Sequence, residues 1–316
     1  MASGKNSKFL YYLRCYLRQC ELPCITQKRG LNLLEALEQN KDNELIFNRI
    51  NYYCKLSTPS PLSNATALKD IPFPKRQKVY FFDSQEYLRY FPKHLRCHIL
   101  PGDINFIPNE PSIVKSRPIA PNNENGVLLN MDKVRHFVFL HDSHSVENKM
   151  GKAIFRGAIH GKPNRIAFME QYFGSSFCDC ADVVDRIVVN PTWQAKPISL
   201  YKHLVYRYII CLEGNDVASN LKWVMSSNSV AIMPSPTCET WFMEGRLKPN
   251  FHYIEIKPDF SDLEEKIDYY NTHLDEAKQI VANAHAYIEQ FQNKQIEDMI
   301  SVGVLKKYFE MTNYDK

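Results

Sequence analysis

The sequence predicts an α/β protein built as two lobes, each a sheet with helices packed on it. Three observations carry that prediction. The chain of 316 residues fits two domains of about 150 residues better than one. Over the C-terminal half, short β-branched and aromatic runs alternate with segments of helical period, the pattern of a parallel sheet covered by helices. A polar stretch at 141–149 separates that half from a helix-rich N-terminal part.

The elements follow in chain order. Residues 5–20 and 31–50 place apolar side chains at helical spacing. Leu31, Leu33, Leu34 and Leu37 precede a polar break at 40–43, then Leu45, Ile46 and Ile50 resume the period. Residues 57–74, rich in Ser, Pro and Asn, read as a loop. Residues 78–82 (KVYFF) read as a short strand, with Ser84 capping a helix to Tyr90. A turn-rich stretch at 101–121 leads to a strand at 137–140. The C-terminal lobe opens with a strand at 152–157, then a helix at 164–173, a strand at 186–189, a helix at 199–206 and a strand at 208–212. A helix beginning near Asp216 and strands at 229–233 and 252–256 follow. Helical patterns at 262–270, 274–292 and 295–309 close the chain. The expected organisation is an N-terminal lobe 1–148, a C-terminal lobe 149–290, and a final segment 291–316 packing back on the N-terminal lobe.

Composition narrows the function classes. Hydrophobic residues make up 44% and aromatic residues 12%, enough for packed cores, so a disordered chain is not the expectation. There is no apolar run of the roughly 18 residues a membrane-spanning helix needs and no secretory signal pattern, so a cytoplasmic location is expected. The nine cysteines lack the second Cys pair or the histidines of a zinc site and read as free thiols; no metal is expected. Residues 1–30 hold six basic residues against Glu21 alone, interleaved with Phe9, Leu10, Tyr11, Tyr12, Leu13, Tyr16 and Leu17. Such a segment suits either peripheral contact with an anionic membrane, at the inner face of the inner membrane, or a first helix packed on its own domain. No nucleic-acid module accompanies it, so no nucleic-acid partner is expected.

The most informative stretch runs from Tyr208 to Trp223: a buried strand, a Gly214-Asn215 turn, then a helix. Backbone N–H groups at a helix start attract a diphosphate, although Asn215 or Asp216 as a plain N-cap explains the same residues.

Here a resemblance enters. Glu213-Gly214-Asn215, a spacer, Lys222 and then Ser226-Ser227-Asn228-Ser229-Val230 resemble the signature of glycosyltransferase family 90. Ile154-Phe155-Arg156-Gly157 is similar to the family's aromatic-Arg-Gly strand. Leu247-Lys248-Pro249 before residues 252–256, and Asp259-Phe260-Ser261-Asp262-Leu263, keep the family's order. Val114-Lys115-Ser116-Arg117-Pro118-Ile119 is most similar to the bacterial lipopolysaccharide-core branch.

The resemblance implies the GT-B architecture, two Rossmann-like lobes facing a central cleft. It also implies a metal-independent, inverting transfer of glucose, galactose or xylose from a UDP-sugar to a lipopolysaccharide core saccharide. The UDP-sugar is a substrate, and no cofactor is implied. A capsule or other glycan as acceptor, and a non-catalytic nucleotide-binding scaffold, are the competing readings. The base is assigned to Asp103, with Glu110 as competitor and an Asx-turn carboxylate as the bland alternative. Donor binding is assigned to Arg156, Gly157, His160 and Arg165, to the run Gly214, Asn215, Asp216, Val217, Ala218, Ser219 and Asn220, and to Lys222 and Glu239. Trp241 and Glu244 are further candidates for the sugar or ribose. Asn220 stands where many eukaryotic members carry a diphosphate-contacting Arg, so Lys222, Arg156 or Arg165 must supply the charge.

Overall fold

The computed structural model describes residues 4–184 and 186–313. Residues 1–3 and 314–316, at the ends of the expected lobes, and Asp185, before the expected strand at 186–189, lie outside the described residues. Along the chain come α1 (Lys8–Gln19), α2 (Pro23–Gln39), α3 (Glu44–Tyr53), β1 (Thr66–Ala67), α4 (Lys78–Leu88), β2 (Arg96–Leu100), β3 (Ser112–Val114), β4 (Ser116–Pro118), β5 (Gly126–Leu128) and α5 (Lys133–His136). Then follow β6 (Met150–Gly157), α6 (Pro163–Tyr172), β7 (Cys178–Asp182), α7 (Leu200–His203), β8 (Tyr206–Ile210), α8 (Leu221–Met225), β9 (Val230–Met233) and β10 (Cys238–Thr240). The last elements are β11 (Ile254–Glu255), α9 (Leu263–Thr272), α10 (Leu274–Glu289) and α11 (Lys294–Thr312).

The chain divides into two compact units. The first comprises residues 7–134, 238–243 and 291–313; the second comprises 4–6, 135–237 and 244–290.

In the first unit, β2, β3 and β5 form a parallel sheet, with β1 antiparallel at its edge, and β10 pairs antiparallel with β4. Helix α11 packs on α2 and α3. Gly303 permits the close approach: a Cβ there would collide with Ile50 and press on Leu37. A polar knot holds the same unit together. Arg49, fully buried, pairs with Glu297 at 2.5 Å, and Trp241 stacks on Tyr53 with centroids 3.9 Å apart while its Nε1 donates to Glu297.

The second unit is a five-stranded parallel sheet in the order β11-β9-β8-β6-β7. Numbered by their own succession, these strands read 5-4-3-1-2, a doubly wound order whose direction reverses between β6 and β8. In such sheets ligands bind beyond the carboxyl ends of the strands at that reversal. One face of the sheet buries Ala153, Phe155, Tyr208 and Ile210 against Phe168 of α6 and Ile267 of α9.

Several sequence expectations change. Residues 78–82 belong to helix α4, not a strand: burial falls at Tyr80, Phe82, Asp83, Ser84, Tyr87 and Leu88, one broad helical face that five residues are too few to show. Residues 137–140 form no strand. Side chains take up backbone groups there: Asn6 donates to the Phe137 carbonyl and the Leu140 N–H donates to Ser226 Oγ. The ladder position beside β6 goes to Cys178–Asp182, while Ile187, Val188 and Val189 lie exposed in an irregular segment. The helix expected from Asp216 starts only at Leu221; the Gly, Asn, Asp and Ser of the 214–220 segment are weak helix formers that favour turns.

Candidate functional site

At the reversal between β6 and β8, the chain leaves both strands through glycines. Gly157 ends β6 and Gly214 follows β8 by four residues. Neither spot has room for a side chain without disturbing a cation. A Cβ on Gly157 would lie 3.3 Å from Arg165 Nη1, and one on Gly214 would lie 3.2 Å from Arg165 Nη2 and 3.4 Å from Lys162 Cε.

Arg165, in the first turn of α6, ties the two strand ends together. Its Nε donates to the Glu213 carbonyl (3.0 Å), Nη2 to the Leu212 carbonyl (2.7 Å) and Nη1 to the Ala158 carbonyl (3.0 Å). All three acceptors are neutral. Among the described residues Arg165 has no carboxylate partner, and burial brings its guanidinium down to about 10. Lys162 is alike in this respect: among the described residues its ammonium hydrogen-bonds only to the His160 carbonyl, at 3.3 Å. Two cations lacking counter-charges thus flank a bare glycine where two parallel strands end. That arrangement suits an anion.

Beside it lies a cavity of about 190 Å³ past the ends of β8, β9 and β11, lined in part by Leu212, Val217, Ala218, Thr237, Glu244 and Phe260. Its wall is held from behind. The Glu213 carboxylate accepts from the Thr237 N–H (2.9 Å) and hydroxyl (2.5 Å). Asn220 Nδ2 donates to the Ile210 carbonyl at the end of β8 (3.0 Å). Phe260 sits at φ +63°, an unfavourable conformation for a bulky residue. Packing on Phe168 and the hydrogen bond from Tyr172 Oη to its carbonyl (2.6 Å) hold it there. Lys222 is buried beneath the cavity in an ion pair with Glu244.

The structure brings together Gly157, Arg165, Gly214, Val217 and Ala218 from the expected donor set, with Lys222 reaching the cavity through Glu244. Asp216 is buried, Asn215 and Ser219 lie in the irregular run before α8, and His160 is exposed. Arg156 is engaged elsewhere. Its guanidinium pairs with Asp179 of β7 at 2.7 Å, and Tyr206 Oη donates to the same carboxylate.

The remaining candidates lie in the first unit. Asp103 contacts the Lys115 ammonium, on a loop pinned where the Ile104 N–H donates to Ser116 Oγ. Glu110 accepts from the Ser63 N–H and hydroxyl and contacts His98, and the Ser63 hydrogen bonds hold its carboxyl below the usual range. Glu239 is buried against Arg117 (2.7 Å), and the Tyr52 hydroxyl donates to it. Trp241 stacks on Tyr53. Sequence reasoning left Lys162 out of the donor set, met Phe260 only within the 259–263 family block, and gave the 234–237 and 258–260 turns no place in the site. The only signal for those turns was the Pro-rich punctuation after two buried strands.

Three likenesses to known proteins bear on this site. The profile of Glycosyl transferase family 90 matches residues 131–316. The O-glucosyltransferase LpsA of Dichelobacter nodosus is 42% identical over 267 residues, covering 84% of this chain and 83% of that protein. Protein O-glucosyltransferase 2 of Danio rerio is 33% identical over 85 residues, 27% of this chain and 17% of that one.

Proposed function

Since the chain belongs to glycosyl transferase family 90 and is a glycosyltransferase, we propose that it moves a hexose or pentose from a UDP-sugar to a saccharide of the lipopolysaccharide core, with inversion at the anomeric carbon. The observation that carries the donor half of this reading is the pair Lys162 and Arg165 beside Gly214, two cations without carboxylate partners among the described residues, at the sheet's reversal. A diphosphate there meets fixed positive charge where negative charge grows as UDP leaves.

In the proposed reaction the acceptor hydroxyl oxygen bonds to the anomeric carbon as the bond from that carbon to the phosphate oxygen breaks. UDP departs with the electron pair, and a carboxylate takes the hydroxyl proton. Family resemblance assigns that carboxylate to Asp103. The GT-B arrangement of two lobes about a cleft, and transfer without metal or cofactor, belong to the same proposal. The activity in the name of the Dichelobacter nodosus relative makes UDP-glucose the first donor to test.

The deciding experiment is a thermal-shift panel of UDP-sugars, followed by transfer to truncated core oligosaccharides. Stabilisation by one UDP-sugar and transfer of its sugar support the reading. If no uridine nucleotide binds at millimolar concentration, the reading fails.

A further inference from the structure

Helix α1 is apolar on the side that faces solvent. Its inner face, Tyr11, Tyr12 and Cys15, packs on α4: the Tyr11 hydroxyl donates to Asp83 at 2.8 Å, and Tyr12 meets Phe82 edge-on. The opposite face presents Phe9 (74% exposed), Leu13, Tyr16 and Leu17 (62%) at i, i+4, i+7 and i+8, so one stripe of the helix is bare hydrocarbon and ring. A stripe of that kind on a water-facing surface marks a docking face.

A second segment, distant in sequence, adjoins the first. The Lys78 ammonium reaches the Tyr16 hydroxyl at 3.4 Å and lies 5.0 Å from the centre of the Phe73 ring. Phe73, half exposed, packs edge-on against Phe82, which also contacts Tyr16. The 71–77 loop, with the first residue of α4, therefore extends the apolar face and adds Lys75, Arg76 and Lys78 to it.

The charges select the occupant. In residues 7–31 and 71–78 the only acidic residue is Glu21, and it is already paired with Arg29 and Arg89. Lys8, Arg14, Lys75 and Arg76 make no ion pair among the described residues. Exposed rings and aliphatic side chains edged by uncompensated cations match a surface that is apolar inside and anionic at its rim. We propose that the outward face of α1 and the Phe73 loop together bind the surface of an anionic bilayer, with the rings in the headgroup region and the cations on the lipid phosphates. Among the described residues no helix is long and apolar enough to cross a membrane, so the contact is peripheral.

Vesicle co-sedimentation of the full chain tests this. The probes are phosphatidylcholine vesicles with and without phosphatidylglycerol, at low and high salt. Binding is expected only to the anionic vesicles and weakened by salt. L13E/L17E and K75E/R76E should each reduce it by about tenfold or more. These side chains are exposed, so thermal midpoint and transfer to a soluble acceptor should stay as in the parent chain. Equal binding to neutral vesicles, or none to anionic ones, overturns the proposal. So does a dimer in sedimentation equilibrium that L13E/L17E dissolves while vesicle binding is absent, because the occupant is then a second copy. Transfer activity and vesicle binding are read separately, so failure of either reading leaves the other intact.

Discussion

The Lys222 ammonium and the Glu244 carboxylate form an ion pair from which solvent is excluded, and Glu244 also lines the cavity. Removing one partner strands the other as a buried charge, which costs about 3–5 kcal/mol. Lys222→Met should therefore lower the denaturation midpoint sharply. Lys222→Met/Glu244→Leu should recover much of that loss, as chemical denaturation of the three proteins will show.

Arg165 does two jobs that one substitution pair can separate. Arg165→Lys keeps a positive charge but loses the three-way tie to Ala158, Leu212 and Glu213, whereas Arg165→Gln loses both. Calorimetry with UDP should show affinity falling about tenfold or more for Arg165→Gln, the worth of a charge-assisted hydrogen bond, and less for Arg165→Lys. Unchanged UDP affinity in Arg165→Gln would remove the anion site from the donor reading.

Asp103→Asn should leave UDP binding intact and lower turnover by about a hundredfold or more. If turnover persists, the base is another carboxylate. Glu110 is a poor substitute, tied as it is to Ser63 and His98.

Glu239 separates a structural role from a donor contact. Its carboxylate is locked to Arg117 at 2.7 Å inside the first unit. Glu239→Gln should cost stability by about 1–3 kcal/mol while leaving the KM for UDP-sugar within about twofold. A large rise in KM without loss of stability would restore the donor contact expected from the sequence.

Asp83 makes stability depend on pH. Burial pushes its carboxyl up to about 6, against the pull of Lys133 and the Tyr11 hydroxyl. The folded state thus holds this proton more tightly than the unfolded chain. The stabilisation is fully present below the ordinary carboxylate value and is lost as pH rises through about 6. Against Asp83→Asn, the parent chain should lose about 1.4 kcal/mol per pH unit between these limits, measured by urea titration across that range.

The parallel sheet of the second unit was legible because its central strands are short, apolar and flanked by turns. The run 208–212 overlaps β8, and 229–233 contains β9. Strand β7 was not legible: Cys178-Asp179-Cys180-Ala181-Asp182 has an acidic look, and its carboxylates fit a sheet because Asp179 pairs with Arg156 and Tyr206 while Asp182 accepts from Gln194 and the Val184 N–H. Gly157 and Arg165 were picked out in sequence through the family resemblance, and Gly214 also by its place in a strand-turn-helix run. What no linear reading supplies is the commitment of each charge. Arg156, Lys222 and Glu239 all look available until their partners, 22 to 122 positions away, are seen.

The strap Cys238–Met243 leaves the second unit, adds strand β10 to β4 of the first, and returns at Glu244. Neither unit is therefore a single uninterrupted stretch of polypeptide. A gene cut near the middle would give fragments each lacking a piece of its own fold. Separate expression needs a circularly permuted or loop-closed design, and an affinity tag or protease site placed within the hexapeptide would perturb both halves together.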